Sequence, residues 1–112
     1  LLPMKEIVIR GTARPIHFGM RAINEFTKNT KGNFETNITT TEAIATMDSV
    51  VAVAAVGLNE GARLSKRTER YTVDDVWDFV DEDPNLILQI ADIFKESIDA
   101  LTDKLGDLDP NV

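Results

Sequence analysis

Cysteine is absent from the sequence, which excludes a disulfide framework and any thiolate metal site and leans towards a reducing compartment. Histidine occurs once, at His17, beside no nucleophile motif, so it reads as a satisfied strand or surface residue and supplies no catalytic base. Long apolar runs are missing too. The longest, residues 43–57, is interrupted by Asp48 and falls short of the roughly 20 residues a bilayer span requires. No Gly-rich phosphate loop or dinucleotide fingerprint occurs. Asp81-Glu82-Asp83 invites a calcium reading, yet Leu86 and Asp92 stand where an EF-hand loop counted from Asp81 needs glycine and glutamate. Carboxylates are so abundant that no acid–base pair is singled out. We therefore assign no catalytic residue, no cofactor and no metal, and expect a protein that binds other proteins.

The chain has 112 residues, 43% of them apolar and 28% charged, enough for one soluble domain with its own core. The opening Leu1-Leu2-Pro3 is too short for a signal sequence and reads as a remnant of cloning ahead of a native start at Met4. The net charge of −7 is unevenly spread. Residues 1–70 hold ten Lys/Arg against seven Asp/Glu, whereas residues 71–112 hold two against twelve. An acidic chain disfavours nucleic acid, whose binding depends on cations neutralising phosphates. Arg63, Lys66, Arg67 and Arg70 form a basic connector with only Tyr71 beside it to stack a base, and this reads as a solvated linker.

The predicted fold is mainly α, a compact helical domain of about four helices with a small N-terminal β-hairpin, covering residues 4–106. Lys5 to Arg10 and Ala13 to Phe18 read as two short strands around a Gly11-containing turn, with Pro15 marking the second as an edge strand or poorly paired. Residues 19–28 carry Met20, Ile23 and Phe26 at helical spacing. Residues 29–37 read as a loop, and Thr39 with Glu42 as a capping box. The next helix carries Ile44, Met47, Val51, Ala54, Ala55 and Leu58 on one face and Val50, Val53 and Val56 on others, so it belongs at the centre of the domain. Gly57 and Gly61 are expected to weaken its last turns. Thr72 caps a short helix with Asp74 and Asp75 in its first turn. Asp83-Pro84 starts a last helix with the stripe Ile87, Ile90, Ala91, Phe94, Ile98, Leu101 and Leu105. Gly106 stops it, leaving residues 107–112 as a flexible acidic tail.

Trp77 and Phe79 point to different sides of their helix: either both belong to the core, or one packs inward and the other is partly exposed for a partner. Leu86, Leu88 and Ile93 lie off the stripe of the last helix and give it more apolar surface than one packing face needs. Trp77, Phe79, Leu86, Leu88 and Ile93 are thus the candidate partner-binding residues.

The order of these pieces resembles the tail assembly chaperones of long-tailed phages and prophages. Phe18-Gly19-Met20-Arg21-Ala22-Ile23-Asn24-Glu25-Phe26 is similar to their F-G-x-R-A-[LI]-x-E-[FY] helix. Val56-Gly57-Leu58-Asn59-Glu60-Gly61-Ala62 resembles their Y-x-G-L-x-x-G-A segment, and residues 71–84 their T-x-E-D-V-x-D-x-[ILV]-D-E-D-P stretch. The resemblance runs from Met4 to about Phe94; the Thr-rich loop of residues 36–41 and the acidic tail depart from it. It implies a homo-oligomeric protein of the host bacterial cytoplasm that coats the tape-measure protein and recruits tail-tube subunits. A small acidic regulator or DNA mimic is the alternative, motivated by the acidic second half.

Overall fold

The computed structural model describes residues 4–29 and 47–108. In chain order these form strands β1 (Lys5–Ile9) and β2 (Thr12–Ile16), then helices α1 (Met20–Asn29), α2 (Met47–Leu64), α3 (Val73–Glu82) and α4 (Asn85–Leu108). The fold is mostly helical with one antiparallel hairpin, as the residue pattern predicts. The capping box at residues 39–42 and Ile44 lie outside the described residues.

Arg10 and Gly11 both take positive φ, 53° and 75°, between the paired residues Ile9 and Thr12. That is the two-residue type I′ turn, whose twist matches the flanking strands. Bonded and non-bonded pairs alternate away from such a turn, so Ile7–Arg14 and Lys5–Ile16 exchange hydrogen bonds while Val8–Ala13 and Glu6–Pro15 do not. Pro15 therefore stands where the ladder needs no donor, and it is a buried residue of β2.

β2 lies against α2. The His17 N–H donates to the Gly57 carbonyl at 3.0 Å. A methyl group at Gly61 would collide with the Pro15 carbonyl and reach the Ile16 nitrogen at 2.7 Å, and one at Gly57 would strike the Phe18 ring. These glycines, one helical turn apart, form the notch that admits strand backbone and ring. The helix runs through both glycines to Leu64, and the close approach of β2 offsets their low helix propensity.

α2 is the central helix, with Val51, Val53, Ala54, Ala55, Leu58 and Ala62 all buried, while Met47 at its start is exposed. α1 sets Ala22, Ile23 and Phe26 into the core. α4 enters with Leu86, Ile90, Phe94 and Ile98, and the Phe94 ring meets Phe18 at 5.3 Å and Phe26 at 5.2 Å. Spacing of four residues keeps these side chains on one face. Leu86 therefore belongs to the buried stripe, with Ile87 and Leu101 packed at its margin. Gly106 does not stop α4, which runs on to Leu108. His17 lies one residue beyond β2 and is exposed.

α2 ends in a Schellman motif: Arg67 N–H donates to the Ala62 carbonyl at 2.8 Å and Lys66 N–H to the Arg63 carbonyl at 3.1 Å. Lys66 holds the left-handed position at φ 59°. The basic connector then returns to α2, where Asn59 grips the backbone of Tyr71. Its Oδ1 accepts from the Tyr71 N–H and its Nδ2 donates to the Tyr71 carbonyl, both at 2.8 Å. Thr72 and Asp75 form a reciprocal capping box at the start of α3. At the α3–α4 junction Asp83 Oδ1 accepts from the Asn85 N–H and the Asp83 carbonyl accepts from the Leu86 N–H, so the Asp-Pro start signal is used as read.

Candidate interaction surface

The hairpin and the acidic helices meet over the Phe79 ring. The Arg10 guanidinium carbon stands 5.0 Å from the ring centroid and that of Arg14 5.6 Å, while the Tyr71 ring packs edge-on at 6.3 Å. Arg10 Nε donates to Glu82 at 2.8 Å, and Arg14 donates to the Tyr71 hydroxyl at 3.3 Å. The Glu82 hydrogen bond holds Arg10 still more firmly protonated. Lys5 reaches Glu96 on α4 at 2.7 Å. Part of the charge asymmetry of the sequence is thus spent inside the molecule, cations of the hairpin facing carboxylates of α3 and α4. Both pairs are half exposed, so each contributes little to stability. Beside them a cleft of about 360 Å³ opens, lined by residues 8–11 of the hairpin and by Phe79, Glu82, Asp83 and Leu86.

The five candidate partner-binding residues separate. Phe79 is 7% and Leu86 2% exposed, which corrects their placement on a free surface: the guanidinium stack covers one and the core stripe takes the other. Trp77 and Ile93 are half-buried and packed on the core. Leu88 alone stands out, at 65% exposure. Other exposed large apolar residues are Val8, Met20, Met47, Leu64 and Val73. They are spread over four elements, and scattered exposure of this kind marks no site.

Carboxylates, by contrast, are ordered. Asp74, Asp78 and Asp81 on α3 follow an i, i+4, i+7 spacing, and Asp92, Glu96, Asp99 and Asp103 extend the same spacing along α4. All are exposed, and among them only Glu96 makes an ion pair. Like charges at i, i+4 destabilise a helix by a few tenths of a kcal/mol per pair. Neither α3 nor α4 has a basic residue in its last turn to complement the helix dipole. The sequence composition announces the acidity, but these rows follow only from the helix boundaries.

A second charged cluster ties α1 to α2. Glu60 accepts two hydrogen bonds from Arg63, at 2.8 and 3.2 Å, and one from Arg21 at 3.2 Å. The Arg63 hydrogen bonds, aided by the charge of Arg21, hold the Glu60 carboxyl below its usual range. Among the described residues no group of three or more His, Cys, Asp and Glu side chains is arranged to hold a metal ion, and no helix is long and apolar enough to cross a membrane.

Compared with known proteins, the chain matches no family model, no characterised protein and no solved structure.

Proposed function

We propose that this chain is a tail assembly chaperone of the long-tailed phage type, a non-enzymatic protein that binds the tape-measure protein, recruits tail-tube subunits and acts as a homo-oligomer in the host cytoplasm. The motif residues that carry the resemblance support it because they have defined places in this fold. Phe18, Ala22, Ile23 and Phe26 fill the core, Gly57 and Gly61 admit the hairpin, and Thr72 caps α3. A pattern made of fold-bearing residues is what distant members of one family keep in common. The single observation that carries the binding role is the pair of carboxylate rows on α3 and α4, of which only Glu96 is held in an ion pair. They oppose helix stability, and a cationic client surface would relieve that opposition. Leu88, within one turn of Asp92, adds an apolar contact to the α4 row.

The test is co-expression with a tape-measure protein and a tail-tube protein from the genome that encodes this chain. Co-purification of the tape-measure protein, lost at high salt or on replacing Asp92, Asp99 and Asp103 by Asn, is the expected outcome. A chain that captures neither protein under conditions where it is folded would remove the reading.

The same rows favour a second reading, a small acidic regulator that occupies the DNA-binding face of a basic protein. Carboxylates one helical turn apart are spaced at about 6 Å, close to the repeat of charges along a nucleic-acid strand. Salt-sensitive competition with DNA for a basic protein is the outcome this reading requires, and absence of competition at low salt dismisses it.

A further inference from the structure

β1 has an open edge. Glu6 and Val8 occupy the non-bonded positions of the hairpin, so their N–H and C=O groups point away from β2. Both residues are exposed, Val8 at 56%, and no side chain or backbone group among the described residues bonds to those outward groups. The outer edge of β2 is treated differently. There α2 closes it, with the His17 N–H on the Gly57 carbonyl and Pro15, which has no N–H, over Gly61. The β2 edge is therefore closed along Pro15–His17, with only the exposed Ala13 open near the turn, whereas the β1 edge is open at both Glu6 and Val8 and available for pairing.

We propose that the β1 edge is a self-association surface, pairing antiparallel with the β1 edge of a second copy of this chain. In the register centred on Ile7, Glu6 of each copy stands opposite Val8 of the other. Every outward N–H and C=O of both residues then finds a partner in a reciprocal pair, with no turn residue drawn into the ladder. Charge favours the same arrangement. Antiparallel pairing brings the Glu6 end of one strand to the Arg10 end of the other, whereas parallel pairing would align Glu6 with Glu6. β1 and its turn carry one carboxylate, Glu6, against the cations Lys5 and Arg10, so two copies of an acidic chain meet here with less repulsion than the rows on α3 and α4 would impose.

Sedimentation velocity of the full chain over about 10–300 μM tests the pairing. A reversible dimer is expected, and Val8→Pro should weaken it at least about tenfold. Proline at position 8 deletes an outward donor and leaves the bonds to β2 intact, as Pro15 does on its own strand. A wild-type chain that stays monomeric across the range overturns the proposal, and so does a folded Val8→Pro chain that dimerises as tightly as wild type. If Val8→Pro fails to fold, amide exchange of the wild-type chain decides. The Glu6 and Val8 amides should slow as concentration rises, and concentration-independent rates at both would refute edge pairing. Capture of a client is scored separately: a monomer that binds the tape-measure protein sinks the edge pairing and the homo-oligomer part of the proposed function but leaves client binding standing, and a dimer that binds no client sinks only the chaperone reading.

Discussion

The hairpin is held from two sides by different physics. Towards α2 the seam is backbone against backbone: two glycines, a proline carbonyl and one hydrogen bond from His17, with no charge involved. Towards α3 it is two guanidinium groups over one aromatic ring, with an ion pair at 53% exposure on both partners. The first seam depends on an absence of atoms, so a single methyl group disrupts it, and neither salt nor pH should affect it. The second is built from long, partly solvated side chains that can rearrange, so it should yield by degrees. A close-packed contact fixes position, and a guanidinium stack covers a ring at low steric demand.

Gly61→Ala should expose this difference most sharply. On helix propensity alone alanine would stabilise by about 1 kcal/mol. With the Pro15 carbonyl in the way, the net effect should instead be a loss of about 2–3 kcal/mol, from overpacking that backbone cannot relieve. Urea unfolding measures it, and a neutral or stabilised variant would mean that β2 does not approach α2 as closely as described. Phe79→Leu is the matching probe of the other seam. The smaller side chain loses ring contact with Tyr71 and both arginines, and the expected cost is about 1.5 kcal/mol. If Phe79→Leu cost more than Gly61→Ala, the ranking of the seams would be reversed.

How much of this was legible beforehand follows from which rules are local. The hairpin turn, the Thr72 cap, the Asp83-Pro84 junction and the central position of α2 each rest on neighbours in sequence, and each is found where the residue pattern puts it. What the sequence hides is the role of Gly57 and Gly61, because propensity compares glycine with alanine in an isolated helix and ignores an incoming strand. The available signal was their spacing of four, which places both on the face that also carries Val53 and Ala54. Leu86 and Phe79 were misplaced because periodicity gives the width of an apolar stripe but not the angle from which a neighbour approaches. Arg10 and Arg14, which cover Phe79, carried no signal at all, since nothing local says that a hairpin will lie over α3. Of the candidate surface, the acidity was readable and the identity of the exposed apolar residues was not, Leu88 excepted.

The connector that sets the start of α3 offers a smaller, stabilising effect. Lys66 holds a left-handed conformation at the end of α2, where a β-carbon is unfavourable and glycine is preferred. Lys66→Gly should raise stability by about 0.5–1 kcal/mol in thermal or urea unfolding. A loss instead would show that the exposed Lys66 side chain contributes more than its backbone conformation costs. The change leaves both seams alone, so it also serves as a background in which the Gly61→Ala and Phe79→Leu losses can be measured with less risk of unfolding the chain.

The smallest effect is a pH dependence that neither hairpin seam supplies. Glu60 ties α1 to α2 beside the uncharged seam, and its side chain is only 12% exposed against 53% for Glu82 in the α3 seam. The hydrogen bonds from Arg63, helped by Arg21, lower its pKa in the folded chain. A carboxyl with a folded pKa below its unfolded value releases its proton more readily when folded, so the unfolded chain binds more protons in the window between the two values. The stabilisation is therefore complete above the ordinary glutamate range, near pH 4.3, and is lost as the pH falls through the lowered folded value. Glu60→Gln should flatten this acid limb of a stability profile measured by urea unfolding between about pH 6 and pH 3. Its loss at neutral pH should stay modest, because Arg21 and Arg63 are both largely solvated at 69% and 52% exposure and remain hydrated when the carboxylate is gone. An acid limb as steep in Glu60→Gln as in wild type would show that the Arg63 and Arg21 contacts do not set the proton affinity of this carboxyl, and would leave α1 held to α2 by packing alone.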